Sequence, residues 1–357
     1  MPTAISPTSK VASGFPPFVC PRCHGPLQLS PEAYECASCA AAYPIILGIP
    51  DFRIFPDPWI GFEEDRDKGR RLAALSEGAD LAGTVRAYWE MTPGTSRERA
   101  EHFTERVLSA EARAEDWLDW MAGADPVTIE GAWLDIGCGT ADLVSAVTRR
   151  GGRIVGVDIA FRWLVAARAR RSIIAERALL VCANGEHLPF AHGSFTRVLS
   201  AGTLEHCADA ARVATEGRRV LVPGGAMRVR TVNRYTLLRE PHVGIWGVGL
   251  VPRRYSDAYV RWRGGQGYQH HRPLSARELA SDLRRAGFGH VRVAPAPLLA
   301  SDRRLLRGPL AWAGRVYGVL GAFPVIGTAL AWISPELETR GVAGPFPSPL
   351  MPLRGPR

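Results

Sequence analysis

The stretch Trp133-Leu134-Asp135-Ile136-Gly137-Cys138-Gly139-Thr140-Ala141-Asp142 passes from a short apolar run into the start of an amphipathic one. A strand that ends in two closely spaced glycines and restarts as a helix makes a tight turn. Such a turn lets a ligand approach the backbone at the helix N-terminus. The same alternation continues outward. Ala132–Ile136, Arg153–Val157, Ala178–Cys182, Arg197–Ala201 and Ala226–Val232 read as strands, while Ala141–Arg150, Arg162–Arg171 and Asp209–Val220 read as helices. Ser275–Ala286 is a further helix, with Ser275 as N-cap, Glu278 as its capping-box partner and Gly287 after its end. His290–Val293 reads as a sixth strand, and no seventh is evident. Together these predict an α/β protein built on a doubly wound, Rossmann-like sheet.

Asp158 ends the second strand, 19 residues after Gly139, where a carboxylate can accept hydrogen bonds from ribose hydroxyls. Two details argue against a dinucleotide. Asp142 stands where the third glycine of the dinucleotide fingerprint would be, and Asp135 adds a negative charge that repels phosphates but suits a cation. A ligand with a ribose, an ammonium and a sulfonium, and no phosphate, fits the pattern.

Asp135-Ile-Gly-Cys-Gly-Thr140 resembles motif I of class I S-adenosylmethionine-dependent methyltransferases, and Val155-Gly-Val-Asp158 the acidic motif after it. Asn184-Gly-Glu-His-Leu-Pro-Phe190, Gly193-Ser-Phe195, Leu204-Glu-His206 and Arg219-Val-Leu-Val-Pro-Gly-Gly225 continue the resemblance, in the order found in ubiquinone-biosynthesis-type enzymes. The resemblance implies S-adenosylmethionine as cofactor. The turn of Asp135, Gly137, Cys138 and Gly139 would line its methionine and ribose side, and Asp158 would hold the ribose. Ile159 would pack on the adenine, and Asn184 would reach the adenine amino group beside the Gly185 backbone. Asn184 stands where an acid is usual, and Thr196 replaces the aspartate expected after Ser194-Phe195. For proton removal from the acceptor, Glu205 and His206 are the candidate catalytic residues, just beyond the fourth strand.

Cys20-Pro-Arg-Cys23 and Cys36-Ala-Ser-Cys39 form C-x2-C-x12-C-x2-C. Two such knuckles suit a tetrahedral structural zinc, and a module this small has too little core to fold without one. The following Tyr43-Pro-Ile-Ile-Leu-Gly-Ile-Pro50 resembles the end of Trm112-like zinc ribbons. Cys138, Cys182 and Cys207 lie in core-like contexts and read as packing residues.

The 357-residue chain is 46% hydrophobic and 22% charged, the balance of a globular protein. Its expected parts are a disordered tail at 1–15, the ribbon at 16–56, a helical linker or cap at 57–125, a methyltransferase domain at 126–300 and an apolar extension at 301–357. Within the domain, 233–272 reads as an insertion with Trp246, Tyr255, Tyr259, Trp262 and Tyr268, an acceptor lid. Tyr88 and Trp89 are read as closing over the cofactor, and His270 and His271 as a solvated turn, with the mouth of the cleft within their reach as the alternative. No charged and apolar leader opens the sequence, which predicts a cytoplasmic protein.

Val316–Ile333 carries no charge over 18 residues, but Gly318, Gly321, Pro324 and Gly327 interrupt it. It reads as two apolar helices meeting near Phe323-Pro324, lying on the domain or making a peripheral membrane contact through 308–333, rather than as a span. The leading expectation is methyl transfer to a small-molecule or lipid-like acceptor. RNA is the alternative acceptor that a net charge of +9 keeps open, against scattered basic residues and a ribbon with only Arg22 and Arg53. A non-catalytic binding protein on the same fold is the third reading.

Overall fold

The computed structural model describes residues 14–344 apart from 125–128, 171, 174 and 266. The expected strands form β1 (Ala132–Ile136), β2 (Arg153–Asp158), β3 (Ala178–Cys182), β4 (Phe195–Ala201), β5 (Leu221–Val232) and β6 (Phe288–Pro295). A seventh strand, β7 (Glu336–Ala343), completes one sheet in the order β6-β7-β5-β4-β1-β2-β3. β1 to β5 run parallel, and β7 runs antiparallel to both β5 and β6. The expectation that a seventh strand is missing is therefore corrected, and the sheet continues well past residue 300. β7 hides from a hydropathy reading because buried Glu338 stands between Leu337 and Thr339, and its charge is paired. Arg230 Nε donates to Glu336 at 2.5 Å, Arg228 pairs with Glu338 at 3.5 Å, and the Trp117 indole donates to Glu338 at 3.1 Å.

Helices cover both faces. On one lie α1 (Phe62–Leu75), α2 (Leu81–Glu90), α3 (Arg97–Ala124), α4 (Asp142–Arg149) and α5 (Phe161–Ala167), packed with Trp133 and Ile154. On the other lie α6 (Ala210–Val220), the ribbon and, after α7 (Arg253–Trp262) of the insertion, α8 (Ala276–Arg285), around Leu134, Ile136 and Val198. Alternate residues of β1 thus serve opposite cores, as strand pleating requires. The α8 capping box forms as expected, with Ser275 and Glu278 bonding reciprocally.

The ribbon is a four-stranded antiparallel sheet over Leu27–Leu29, Ala33–Cys36, Ala42–Ile46 and Ile49–Pro50. It is built into the larger domain rather than hung from it. Phe18, Tyr34, Tyr43 and Phe52 share a core with Phe190, and Phe15, which the sequence assigned to the tail, is buried there too. The rest of the expected tail, 1–13, lies outside the described residues. Asp51 bridges Cys182, and Phe52 N donates to Cys182 O at 2.7 Å, so the ribbon covers the open edge of β3.

After α9 (Ala300–Leu305), the apolar run divides at Phe323 into α10 (Pro309–Ala322) and α11 (Pro324–Leu330). Among the described residues no helix is long and apolar enough to cross a membrane.

Candidate functional site

The β1–α4 turn sits where strand order reverses, between β1 and its neighbours β2 and β4, the place where open α/β sheets bind ligands. Gly137 and Cys138 N–H groups donate to Val157 O at 2.7 and 3.0 Å, pinning the turn to β2. Gly137 has φ +80°, and a Cβ there would meet Thr203 Oγ1 at 2.1 Å, so only glycine fits. Gly139 has φ +50°, and a Cβ on it would meet nothing within 4 Å. Its face is the open cradle.

Two cavities flank this turn and share Gly137, Gly139, Trp163 and Gly202 as their common wall. The first, of about 470 Å³, is bordered by Phe55, Trp59, Asp158, Ile159, Gly185 and His206. The second, of about 440 Å³, is bordered by Arg106, Arg113, Cys138, Thr140, Glu205 and Asp302. The sequence-adjacent pair Glu205 and His206 therefore faces two different spaces.

Asp158 accepts the Gly139 N–H and the Ala160 N–H, each at 2.8 Å, and faces the first cavity. Burial raises its pKa, and those two N–H groups oppose the rise. Asp135 is buried behind the turn. Its Oδ1 has no hydrogen-bond partner, and burial, then Asp142 and Asp158, push its carboxyl well above the usual range. A glycine cradle and a strand-end carboxylate on the first cavity, with Asp135 buried behind the turn and bordering neither cavity, suit a ribose better than a phosphate ligand. The residues present thus suit S-adenosylmethionine.

Asn184 does not take the place expected of it. It is fully buried, its Oδ1 accepts from Ile54 N at 2.8 Å, and its Nδ2 donates to Phe55 O at 3.1 Å. An amide both donates and accepts, which an ionised acid in its place could not do. The substitution anchors the segment that carries Phe55 and Trp59 into the first cavity. Thr196 likewise donates its hydroxyl to Glu130 O and Ala132 O, away from both cavities. Tyr88 and Trp89 stand behind Trp163 instead of over the cavity. Trp246, Tyr255 and Trp262 of the insertion are exposed and border neither cavity.

What the insertion does bring is His242. Its Nε2 lies 3.2 Å from His206 Nε2, and its Nδ1 lies 2.5 Å from Glu240 Oε1. His271, far from a solvated turn, completes a cluster with them, its Nδ1 buried without a partner. His206 is itself exposed, yet desolvation by its neighbours, then His242, His271 and Arg106, push its imidazole down. Glu205 is buried, accepts from Thr231 Oγ1 at 2.6 Å, and has its pKa raised by burial. Neither His242 nor Glu240 stands in any sequence motif, so only the fold brings them to the site.

In the ribbon, all four cysteine sulfurs lie within 4.8 Å of one another, with Cys20–Cys39 at 3.6 Å and Cys23–Cys36 at 3.5 Å. Zinc–sulfur bonds of about 2.3 Å give a tetrahedron with edges near 3.8 Å, so the four sulfurs fit that ion. Tyr43 Oη stands 3.2 Å from Cys20 Sγ, where it would donate a hydrogen bond to the thiolate.

A sheet of this order, with a glycine turn and a strand-end acid at its switch point, is the Rossmann-like fold of class I methyltransferases. Residues 134–229 match the methyltransferase domain family, and the chain carries a class I S-adenosylmethionine-dependent methyltransferase domain. A ubiquinone biosynthesis O-methyltransferase of Pseudomonas paraeruginosa (strain DSM 24068 / PA7) is 32% identical over 129 residues, 33% of this chain and 50% of that one. An uncharacterized methyltransferase of Mycobacterium sp. (strain KMS) is 34% identical over 158 residues, 43% of this chain and 57% of that one. A solved Thermotoga maritima structure, an S-adenosylmethionine-dependent methyltransferase described as a possible histamine N-methyltransferase, aligns at TM-score 0.44 and 20% identity over 69% of this chain and 97% of its own. The chain spans about half the length of these two curated relatives.

Proposed function

We propose that this protein transfers the methyl group of S-adenosylmethionine to a hydroxylated, lipid-like small molecule. The observation that carries the first half is the Asp158–Gly139 cradle beside the unpaired Asp135 carboxylate. The adenosine would occupy the cavity of Phe55, Trp59, Asp158 and Ile159, and the charged amino-acid end would reach toward Arg106 and Arg113 in the second. Transfer is an in-line displacement, so the protein acts chiefly by aligning acceptor and sulfonium and excluding water. Where the acceptor must lose a proton, it would do so at the rim of the first cavity, which His206 borders and where His242 and His271 stand beside it.

The second half of the reading rests on an exposed apolar patch beside the His206 side of the site. Leu237 N donates to Ile333 O at 3.3 Å, and the Trp246 indole donates to Leu237 O at 3.0 Å. Leu237, Leu238, Trp246, Trp332 and Ile333 are all exposed, and the hairpin that carries Trp246 also carries His242. The ubiquinone-biosynthesis relative points to the same acceptor class.

Two measurements test it. Purified protein given labelled S-adenosylmethionine and polyprenylated catechols should transfer label to the phenolic oxygen; transfer to RNA instead, with a steep salt dependence, would replace the acceptor assignment. In flotation with anionic phospholipid vesicles, the chain should co-migrate, and Leu238→Glu with Trp332→Glu should release it. Equal recovery of both proteins in the lipid-free fraction would remove the membrane contact.

A further inference from the structure

Three histidines from three distant parts of the chain meet at the rim of the first cavity. His206 closes the 3-10 turn Leu204–His206 after β4. His242 sits in the hairpin between Arg239–Glu240 and Ile245–Trp246, and His271 in the segment leading to the α8 cap. Their ring centroids are 4.5, 4.7 and 5.2 Å apart. The backbone holds them there: Arg272 N donates to Glu205 O at 2.6 Å, tying the third histidine's segment to the first.

Ordinary packing explains such a cluster poorly. Three imidazoles this close repel one another when protonated, and when neutral one N–H···N bond between His206 and His242 still leaves His271 Nδ1 unpaired. The Glu240 carboxylate accepts the His242 and Val243 N–H groups and lies 2.5 Å from His242 Nδ1. That contact places the ring proton on Nδ1 and leaves the Nε2 lone pair aimed at His206. A carboxylate behind an imidazole is the usual outer support of a metal-bound histidine. The 3.2 Å between the two Nε2 atoms is close to the edge of a tetrahedron with metal–nitrogen bonds of about 2.0–2.1 Å. His271 Nδ1 is buried with no partner at all. Tyr268 stacks on the His271 ring at 5.3 Å and Trp59 lies tilted against it at 5.8 Å.

We propose that His206, His242 and His271 bind a divalent first-row transition-metal ion of the zinc class, with Glu240 orienting His242. Imidazole donors suit that class of ion. Three protein ligands leave a fourth position, which takes an oxygen from water or from an acceptor that enters past the His206 rim of the first cavity. The metal site stands on its own geometry, and its role toward the acceptor rests on the methyltransferase reading.

The full chain with its ribbon zinc-loaded should take up one equivalent of Co²⁺ beyond the ribbon, with weak visible bands and no sulfur charge-transfer absorption. His242→Ala and His271→Ala should each lose that equivalent while keeping S-adenosylhomocysteine affinity, which marks them as folded. Glu240→Gln, which keeps every ring, should bind Co²⁺ about 10–100-fold more weakly. Wild-type protein that takes up no Co²⁺ beyond the ribbon, or a Glu240→Gln variant that binds it as tightly as wild type, overturns the proposal. If wild type takes up Co²⁺ in this way yet binds no S-adenosylhomocysteine, the metal site stands and the methyltransferase reading falls.

Discussion

Asp158→Ala should weaken S-adenosylhomocysteine binding by about 100-fold or more while the protein stays folded. The carboxylate does two things at once. It accepts the Gly139 and Ala160 N–H groups, which sets the shape of the cradle, and it faces the cavity where ribose hydroxyls would donate. Hydrogen bonds to a charged group contribute about 1.5–3 kcal/mol each, so losing two to the ligand costs on the order of 3–4 kcal/mol. That corresponds to roughly a hundredfold or more in affinity. Titration calorimetry measures it directly. Asp158→Asn should fall between the two, since its amide oxygen still accepts one N–H while its NH₂ faces the other donor. Gly137 is a poorer probe: with φ +80° and Thr203 against any Cβ, its replacement disturbs the fold before it reports on the ligand. Unchanged affinity in Asp158→Ala would remove this cavity from the cofactor assignment.

Asp158 could be read from the sequence because local features encode it: a strand, a glycine turn and a fixed distance between them. The same holds for the cysteine knuckles and for the Ser275 capping box, whose partners lie within a few residues. What escaped was set by distant contacts. β7 was invisible because Glu338, 3% exposed, is buried against Arg228 and Trp117, and no hydropathy pattern announces a strand that buries charge in pairs. Asn184 was placed on the adenine because its motif suggested it, yet its partners, Ile54 and Phe55, lie about 130 residues away. His242 follows Pro241 in a segment with no periodicity, and only the fold brings it against His206. Sequence motifs located the cradle, but not what surrounds it.

Removing the metal proposed for the ribbon should lower cofactor affinity as well as stability, although the cysteines touch neither cavity. The link runs through Arg53. Its guanidinium is fully enclosed, bonded to Asp51 at 2.7 Å, to Asp65 at 2.6 Å and to the Ile159 carbonyl at 3.0 Å. Asp65 in turn accepts from Phe161 N and pairs with Arg162, which with Ile159 borders the first cavity. Burial disfavours the Arg53 charge, and Asp51 and the other acids more than offset this, so its pKa ends raised. Displacing such a buried ion from its partners typically costs about 3–5 kcal/mol. Next along the chain, Ile54 and Phe55 are held by Asn184 and lead directly into Trp59 at the cavity wall. Structural zinc supplies about 10–16 kcal/mol to isolated zinc-finger peptides. Here the shared aromatic core around Phe52 retains part of the order, and a loss of about 5 kcal/mol would lower Tm by roughly 5–10 °C in a unit of this length. Cys36→Ser, or chelation verified by metal analysis, should therefore reduce S-adenosylhomocysteine affinity about tenfold or more. Arg53→Met, which keeps all four sulfurs, should reproduce the affinity loss with the metal still bound. If metal-free protein melts and binds as wild type does, the ribbon is not what holds the adenosine wall.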